Sequence, residues 1–116
     1  MTEFNTRTKV RRVDGNVVID VGGEITNASE AALGEALTEA ASDDAATVIL
    51  NFADLDYMNS GGIGVLVTLL IRANREGMRL LACDLGEHYR KIFSLTRLDE
   101  AIACFDDEAS ALAAAI

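Results

Sequence analysis

The sequence predicts a single α/β domain, built as a mixed β-sheet with helices packed largely on one of its sides. At 116 residues the chain has the size of one ordinary domain. Segments of strand character alternate with segments of helical period, and this alternation requires crossover connections between parallel strands. Asp14-Gly15 separates the first two strand segments and is a strong hairpin signal, which adds an antiparallel pair. The predicted order is ββαβαβαβα, with residues 1–116 forming one domain.

The chain begins with the hairpin and one helix. Residues 8–13 and 17–21 are rich in β-branched side chains and form the two predicted hairpin strands. Asn27 is the predicted cap of the first helix, because Glu30 follows three residues later. Apolar residues then recur at helical spacing, so the helix is expected to continue to about residue 41.

Strands and helices continue to alternate over the rest of the chain. Residues 47–52 are almost continuously apolar, which is typical of a strand covered on both faces. The apolar helix that follows is predicted from about Ser60 to Glu76 and ends at Gly77. The later predicted elements are a strand over 79–84, a helix over 87–95, a short strand over 102–105 and an Ala-rich helix over 107–116.

The charge and hydropathy of the chain narrow the possible partners. Ten Lys and Arg against nineteen Asp and Glu give a net charge of -9, which opposes binding to nucleic acid or to an anionic membrane surface and favours a basic protein partner.

The longest strongly apolar run, residues 63–71, is far shorter than the roughly 20 residues that cross a bilayer. The first residues do not have the basic-then-apolar pattern of a signal peptide, so none is expected. We expect a soluble, cytoplasmic protein without membrane insertion.

The sequence contains no pattern typical of a metal or cofactor site. Cys83 and Cys104 each lie in a short apolar segment, so both are predicted to be buried and inert. They lack CxxC spacing and clustered histidines, which argues against a zinc site or a disulfide framework. A phosphate-binding GxxxxGK loop and a dinucleotide fingerprint are also absent from the sequence. We therefore expect no metal and no cofactor.

The small polar segment Asn59-Ser60-Gly61-Gly62 stands directly before the apolar second helix. Ser60 could simply cap the helix by accepting a hydrogen bond from a backbone N–H. That leaves the two glycines unexplained, since each costs about 0.5–1 kcal/mol relative to Ala in a helix and suggests that something must approach closely. A phosphoryl group on Ser60 would lie at the positive end of the helix, so the segment is also a candidate phosphorylation site.

The second helix has more apolar side chains than one buried stripe needs. Its predicted core-facing stripe consists of Ile63, Leu66, Val67 and Leu70, followed by Asn74. Val65 and Leu69 lie off this stripe, so they are either buried under neighbouring helices or exposed for a partner. The predicted docking surface combines the corner formed by residues 59–62, the edge of the helix and the adjacent loop, and comprises Thr26, Asn27, Asn59, Ser60, Gly61, Gly62, Val65 and Leu69.

A catalytic serine is the weaker alternative. A serine nucleophile needs a base within hydrogen-bond reach, and the single histidine is His88, at the predicted start of the third helix. Met58 also stands where the GxSxG elbow of serine hydrolases requires its first glycine. The sequence therefore favours a protein without enzymatic activity.

The segment ADLDYMNSGGIGVL, the upstream Val21-Gly-Gly-Glu-Ile25 and the order of elements together resemble the STAS domain family, specifically the bacterial anti-sigma factor antagonists. The resemblance implies that Ser60 is phosphorylated by a partner that is both an anti-sigma factor and an ATP-dependent serine kinase. It further implies that the unphosphorylated antagonist binds this partner, that phosphorylation releases it, and that a separate serine phosphatase restores it.

Two departures from the family pattern leave a second function open. Asn59 stands where the family usually has Asp, and Thr26 stands where it often has Asp, so two expected acidic groups are neutral. Such a chain could instead be a STAS subunit of another assembly, either a stressosome-like scaffold or the cytoplasmic partner of a lipid transporter, without a phosphorylation cycle. The expected oligomeric state is a monomer or weak dimer.

Overall fold

The sheet is organised around strand β2 (Asn16–Ile25), which pairs with three other strands. The computed structural model describes residues 6–115. Strand β1 (Thr6–Val13) runs antiparallel to β2 on one side, as the hairpin signal predicts, and β3 (Thr47–Asn51) runs parallel to it on the other. The sheet then continues through two further parallel strands, β5 (Arg79–Cys83) and β6 (Ala103–Phe105).

Within residues 6–115, three helices cover one face of the sheet and a fourth covers the other. The main core lies beneath α1 (Glu30–Ser42), α2 (Ser60–Arg75) and α3 (Glu87–Leu95). The short α4 (Glu108–Ala114) packs through Ala111 against a smaller apolar cluster on the opposite face. The predicted mixed sheet with helices largely on one side is confirmed.

The structure contains one strand that the sequence analysis missed. Strand β4 (Leu55–Met58) pairs parallel with the C-terminal end of β2 and lies off the main strand order, which makes the sheet six-stranded. It is short, and both Asp56 and Tyr57 are exposed. Aspartate is disfavoured in strands. The observed order is ββαββαβαβα.

Two predicted helix boundaries change. Residues Asn27–Ser29 form a 3-10 turn capped by Thr26, so Asn27 is not the cap, and α1 begins only at Glu30. The last helix ends at Ala114, and its predicted end at Ile116 lies outside the described residues, as do residues 1–5 of the predicted domain.

The cysteines differ in burial. Cys83 is fully buried, as predicted, and burial raises the pKa of its thiol to about 12, so the thiol stays neutral. Cys104, on the last strand in the sheet order, is only half-buried, so the prediction that it is buried is wrong. Among residues 6–115, no group of three His, Cys, Asp or Glu side chains could hold a metal ion. No helix in this range is long and apolar enough to span a membrane.

A polar network fixes α4 to the sheet. The Arg11 guanidinium donates to Asp20 Oδ2 at 2.6 Å through Nε and to Glu108 Oε1 at 2.6 Å through Nη2. Asn51 Nδ2 also donates to Glu108 Oε1, at 2.9 Å. The hydrogen bond from Arg11, assisted by that from Asn51, lowers the pKa of the Glu108 carboxyl below its usual value. Strands β1, β2 and β3 are therefore connected to the start of α4.

This network makes stability depend on pH. Because the folded-state pKa of Glu108 is lowered, its contribution is present above the unfolded pKa of about 4.3 and is lost as pH falls through the lower folded value. We expect Glu108→Gln to reduce the free energy of unfolding by about 0.5–1 kcal/mol at neutral pH, and by less at a pH below that unfolded value. Urea unfolding at both pH values measures this. Glu39→Gln, at an exposed position of α1, is the control, and an equal loss in both variants would contradict the prediction.

Candidate functional site

Asn59, and not Ser60, caps helix α2. Asn59 has extended backbone angles, and its side-chain Oδ1 accepts a hydrogen bond from the Gly62 N–H at 3.0 Å. Ser60 is the first residue of the helix and is exposed. The hypothesis that Ser60 is a plain cap is therefore wrong. Asn is as good a cap as Asp or Ser, so the hydroxyl of Ser60 is not needed to start the helix.

The glycines of the corner are explained by contacts within the chain. A Cβ added at Gly62 would lie 2.2 Å from the carbonyl oxygen of Ile25, at the end of β2. A Cβ at Gly61 would lie 3.0 Å from the backbone nitrogen of Asn27. Something does approach these glycines closely, as the sequence suggested, but it is the end of β2 and the turn that follows it. Gly64 is different, because a Cβ there would meet nothing within 4 Å.

The turn after β2 forms the second wall of the corner. Thr26 Oγ1 accepts from the Ala28 N–H at 3.1 Å, and the Thr26 N–H donates to Ser29 Oγ at 2.9 Å. Thr26 is thus held in a local cap, while its neighbour Asn27 is exposed. The uncharged Thr26 therefore stabilises this turn by capping it.

A cavity of about 580 Å³ opens beside the corner. Its lining includes three of the predicted site residues and three others, namely Thr26, Asn27 and Asn59 with Glu24, Ala28 and Tyr57. Sequence reasoning missed Glu24 and Tyr57 as site residues. They are brought together because Glu24 of β2 is opposite Tyr57 of β4 in the parallel register. Prediction of β4 would have indicated this pairing.

Helix α2 is rotated relative to the sequence-based expectation. Val65 and Leu69 are only 6% and 5% exposed, so the prediction that they form an exposed edge is wrong. Val67, which was expected in the core, is 38% exposed, and Ile71 is 53% exposed. Asn74, at the end of the predicted core stripe, is exposed as well. The buried side of α2 comprises Gly62, Val65, Leu66, Leu69 and Ala73.

The exposed side of α2 forms a narrow surface headed by Ser60. Ser60, Gly64, Val67 and Ile71 follow one another at helical spacing, and all four are exposed. We refer to Gly64, Val67 and Ile71 as the α2 stripe, which begins one turn after Ser60. Because Gly64 has no side chain, the backbone next to Ser60 is open to close approach. This exposed apolar row directly beside an exposed hydroxyl is a candidate contact surface.

Val65 and Leu69 instead contribute to a groove between α1 and α2. The groove has a volume of about 410 Å³, and its lining also contains Glu30, Glu35 and Arg72. Arg72 connects the two helices by donating to the Gly34 carbonyl at 3.0 Å. The structure thus brings Thr26, Asn27 and Asn59–Gly62 together at one corner, and it places Val65 and Leu69 in the groove between α1 and α2.

The chain is similar in sequence to members of a known protein family. The family model of the STAS domain matches residues 7–111 of this chain. This chain belongs to the STAS domain family. The anti-sigma-B factor antagonist of Bacillus subtilis (strain 168) is 28% identical over 99 residues, which cover 85% of this chain and 90% of that protein. The resemblance predicted from the motif is confirmed.

Solved structures support the assignment of the STAS fold. An anti-sigma factor antagonist from Mycobacterium paratuberculosis has a TM-score of 0.83 at 23% identity, covering 98% of this chain and 97% of that one. The Bacillus cell fate determinant SpoIIAA in its phosphorylated form has a TM-score of 0.70 at 20% identity, covering 95% of this chain and 100% of that one. At these identities the likeness establishes the shared STAS fold.

Two helix glycines of this STAS domain should respond in opposite ways to the same substitution. Gly62→Ala should lower the free energy of unfolding by about 2 kcal/mol or more, because the new Cβ overlaps the Ile25 carbonyl oxygen. Gly64→Ala should raise it by about 0.5–1 kcal/mol, since the methyl group enters open space and Ala favours the helix. Urea unfolding measures both. Equal effects of the two variants would show that the contact with Ile25 does not constrain the corner.

Proposed function

We propose that this STAS protein is an anti-sigma factor antagonist that acts by partner switching. In this proposal the unphosphorylated protein binds an anti-sigma factor that is also a serine kinase, phosphorylation of Ser60 releases the complex, and a serine phosphatase reverses the modification. The observation that carries the proposal is that Ser60 is exposed at the start of α2, beside the apolar α2 stripe, while Asn59 makes the cap bond.

The environment of Ser60 suits a phosphoryl group. Backbone N–H groups in the first turn of a helix are not all paired within the helix, and the helix dipole favours negative charge there. Gly61 adds no side chain beside the hydroxyl, and the neutral Asn59 does not repel a phosphate. The modification would add about -1.5 to -2 charges to a surface otherwise formed by Gly64, Val67 and Ile71. A partner packed on that surface would have to accommodate this charge.

The proposed docking surface includes the corner and the α2 stripe. The corner contributes Asn59–Gly62 with Thr26 and Asn27, and the stripe contributes Val67 and Ile71. Val65 and Leu69 are buried in the core and lie outside this surface. The net charge of -9 favours a basic complementary surface on the partner.

The identity of residue 59 does not count against a phosphorylation cycle. Asn59 retains the cap that an Asp would provide, so the change removes a charge and preserves the geometry of the corner.

The names of the relatives support the function of an anti-sigma factor antagonist, since one is an antagonist of an anti-sigma-B factor and another was solved in a phosphorylated form. We propose that the protein acts in the cytoplasm as a phosphoryl acceptor and does not itself catalyse a reaction.

We propose that the free protein is a monomer or a weak dimer, and that a dimer would not form through strand β1. Strand β1 forms one end of the described sheet, and its exposed residues include Arg7, Lys9 and Arg12. A second copy of β1 placed alongside it would bring like charges close together, which is unfavourable.

Ser60 should accept the phosphoryl group. After incubation with ATP and each serine-kinase anti-sigma factor of the source organism, the unmodified protein should gain the mass of one phosphoryl group, and Ser60→Ala should gain none. Ser60→Ala should fold normally, because Asn59 provides the cap. Intact-mass spectrometry measures the modification, and Ser94→Ala, at an exposed serine of α3, is the control.

Charge at position 60 should also weaken the complex. Ser60→Asp should fold, since a carboxylate suits the start of a helix, but should bind the kinase about tenfold or more weakly than Ser60→Ala. Calorimetric titration measures both affinities. No phosphoryl transfer to Ser60 from any of these kinases would contradict the proposal and support the alternative of a STAS subunit without a phosphorylation cycle.

The α2 stripe should contribute binding energy. Val67→Glu and Ile71→Glu should each weaken the complex at least tenfold, or about 1.4 kcal/mol, because they place a charge on an apolar contact. Both positions are exposed, so the fold should persist. Ala109→Glu, at an exposed position of α4 on the opposite face, is the matched control. Unchanged affinity in both stripe variants would remove α2 beyond its first turn from the docking surface.

A further inference from the structure

The hydroxyl of Tyr89 is bonded to the backbone immediately before the Ser60 corner. The N–H of Met58 donates to Tyr89 Oη at 3.0 Å. Met58 is the last residue of β4, and the next two residues are the cap Asn59 and the candidate acceptor Ser60. A side chain of α3 therefore contacts the segment from which Ser60 is presented.

This hydrogen bond satisfies a backbone group that the sheet leaves unpaired. Strand β4 pairs with β2, and the N–H of Asn59 points to that side, donating to the Ile25 carbonyl at 3.3 Å. Successive N–H groups of a strand point to opposite edges, so the N–H of Met58 points away from β2. Met58 is only 5% exposed, and a buried backbone N–H without a hydrogen-bond partner is unfavourable. The Tyr89 hydroxyl accepts the hydrogen bond that this N–H would otherwise lack.

The Tyr89 ring is itself fixed by packing against its neighbours. Its ring is half-buried and packs against the main core, and Phe93, one turn further along α3, is fully buried. The ring of His88 contacts the Tyr89 ring edge-on, with the centroids 4.9 Å apart. The corner is thus fixed from two sides, by the Ile25 carbonyl at the end of β2 and by Tyr89 on α3.

We propose that Tyr89 is a positioning residue for the phosphorylation of Ser60. This inference rests on the proposed function and adds to it a residue that does not touch the phosphoryl group. Tyr89 fixes the backbone of Met58 and thereby the start of α2. Loss of its hydroxyl leaves the α2 stripe in place for docking but lets the Ser60 hydroxyl move relative to the kinase. Small displacements of a reacting group lower the rate of the chemical step more than they lower binding.

The test compares Tyr89→Phe with Thr96→Val in the full chain. Tyr89→Phe removes only the hydroxyl, whereas Thr96→Val, directly after α3, removes a hydroxyl that donates only to carbonyls of α3. In Tyr89→Phe we expect the amide of Met58 to exchange with solvent roughly 5- to 10-fold faster, as measured by NMR. With the cognate serine kinase and ATP, kcat for phosphorylation of Ser60 should fall roughly 3- to 10-fold with KM unchanged. Thr96→Val should change neither quantity.

The outcomes separate this inference from the proposed function. If the unmodified protein is not phosphorylated by any of the kinases, the proposed function is overturned and this inference with it. If it is phosphorylated but kcat is the same in Tyr89→Phe, this inference alone is overturned, whether or not the thermal stability changes. A rise in KM at constant kcat would also overturn it, because Tyr89 would then act on docking.

Discussion

The close approach between the first turn of α2 and the end of β2 is the constraint on which the functional corner depends. The Ile25 carbonyl occupies the space where any side chain at position 62 would begin, so this contact requires glycine. The N–H of Asn59 donates to the same carbonyl. Together these contacts fix both the place where α2 starts and its rotation about its axis. The burial of Val65 and Leu69 and the exposure of Val67 and Ile71 follow from that rotation.

The corner divides its tasks between neighbouring residues. Asn59 supplies the helix cap, Gly62 permits the contact with β2, and Ser60 is left exposed between them. A charge can therefore be added to Ser60 without removing the cap bond. Tyr89 supports the same segment from α3. On the opposite face, Arg11 and Glu108 fix α4 to the sheet, so the short fourth helix is held away from the corner.

Most of the fold follows from local patterns in the sequence. The hairpin at Asp14-Gly15, the apolar strand at 47–51 and the alternation of strands with helices all appear in the structure. Strand β4 could not be predicted in this way. It is four residues long, it includes the exposed Asp56, and it is a strand only because β2 extends past β3 and offers a free edge. That edge is a property of the assembled sheet.

The sequence by itself determined that a small polar corner with Ser60 precedes an apolar helix, and the STAS motif identified the family. It did not determine which residue caps the helix, because Asn59 and Ser60 are comparable caps. Nor did it determine which side of α2 is buried. Apolar side chains occur around most of that helix, so the periodicity favours no single face strongly. Only the tertiary structure decided both points, because α1, the sheet and the Ile25 carbonyl together allow one position and one rotation of α2.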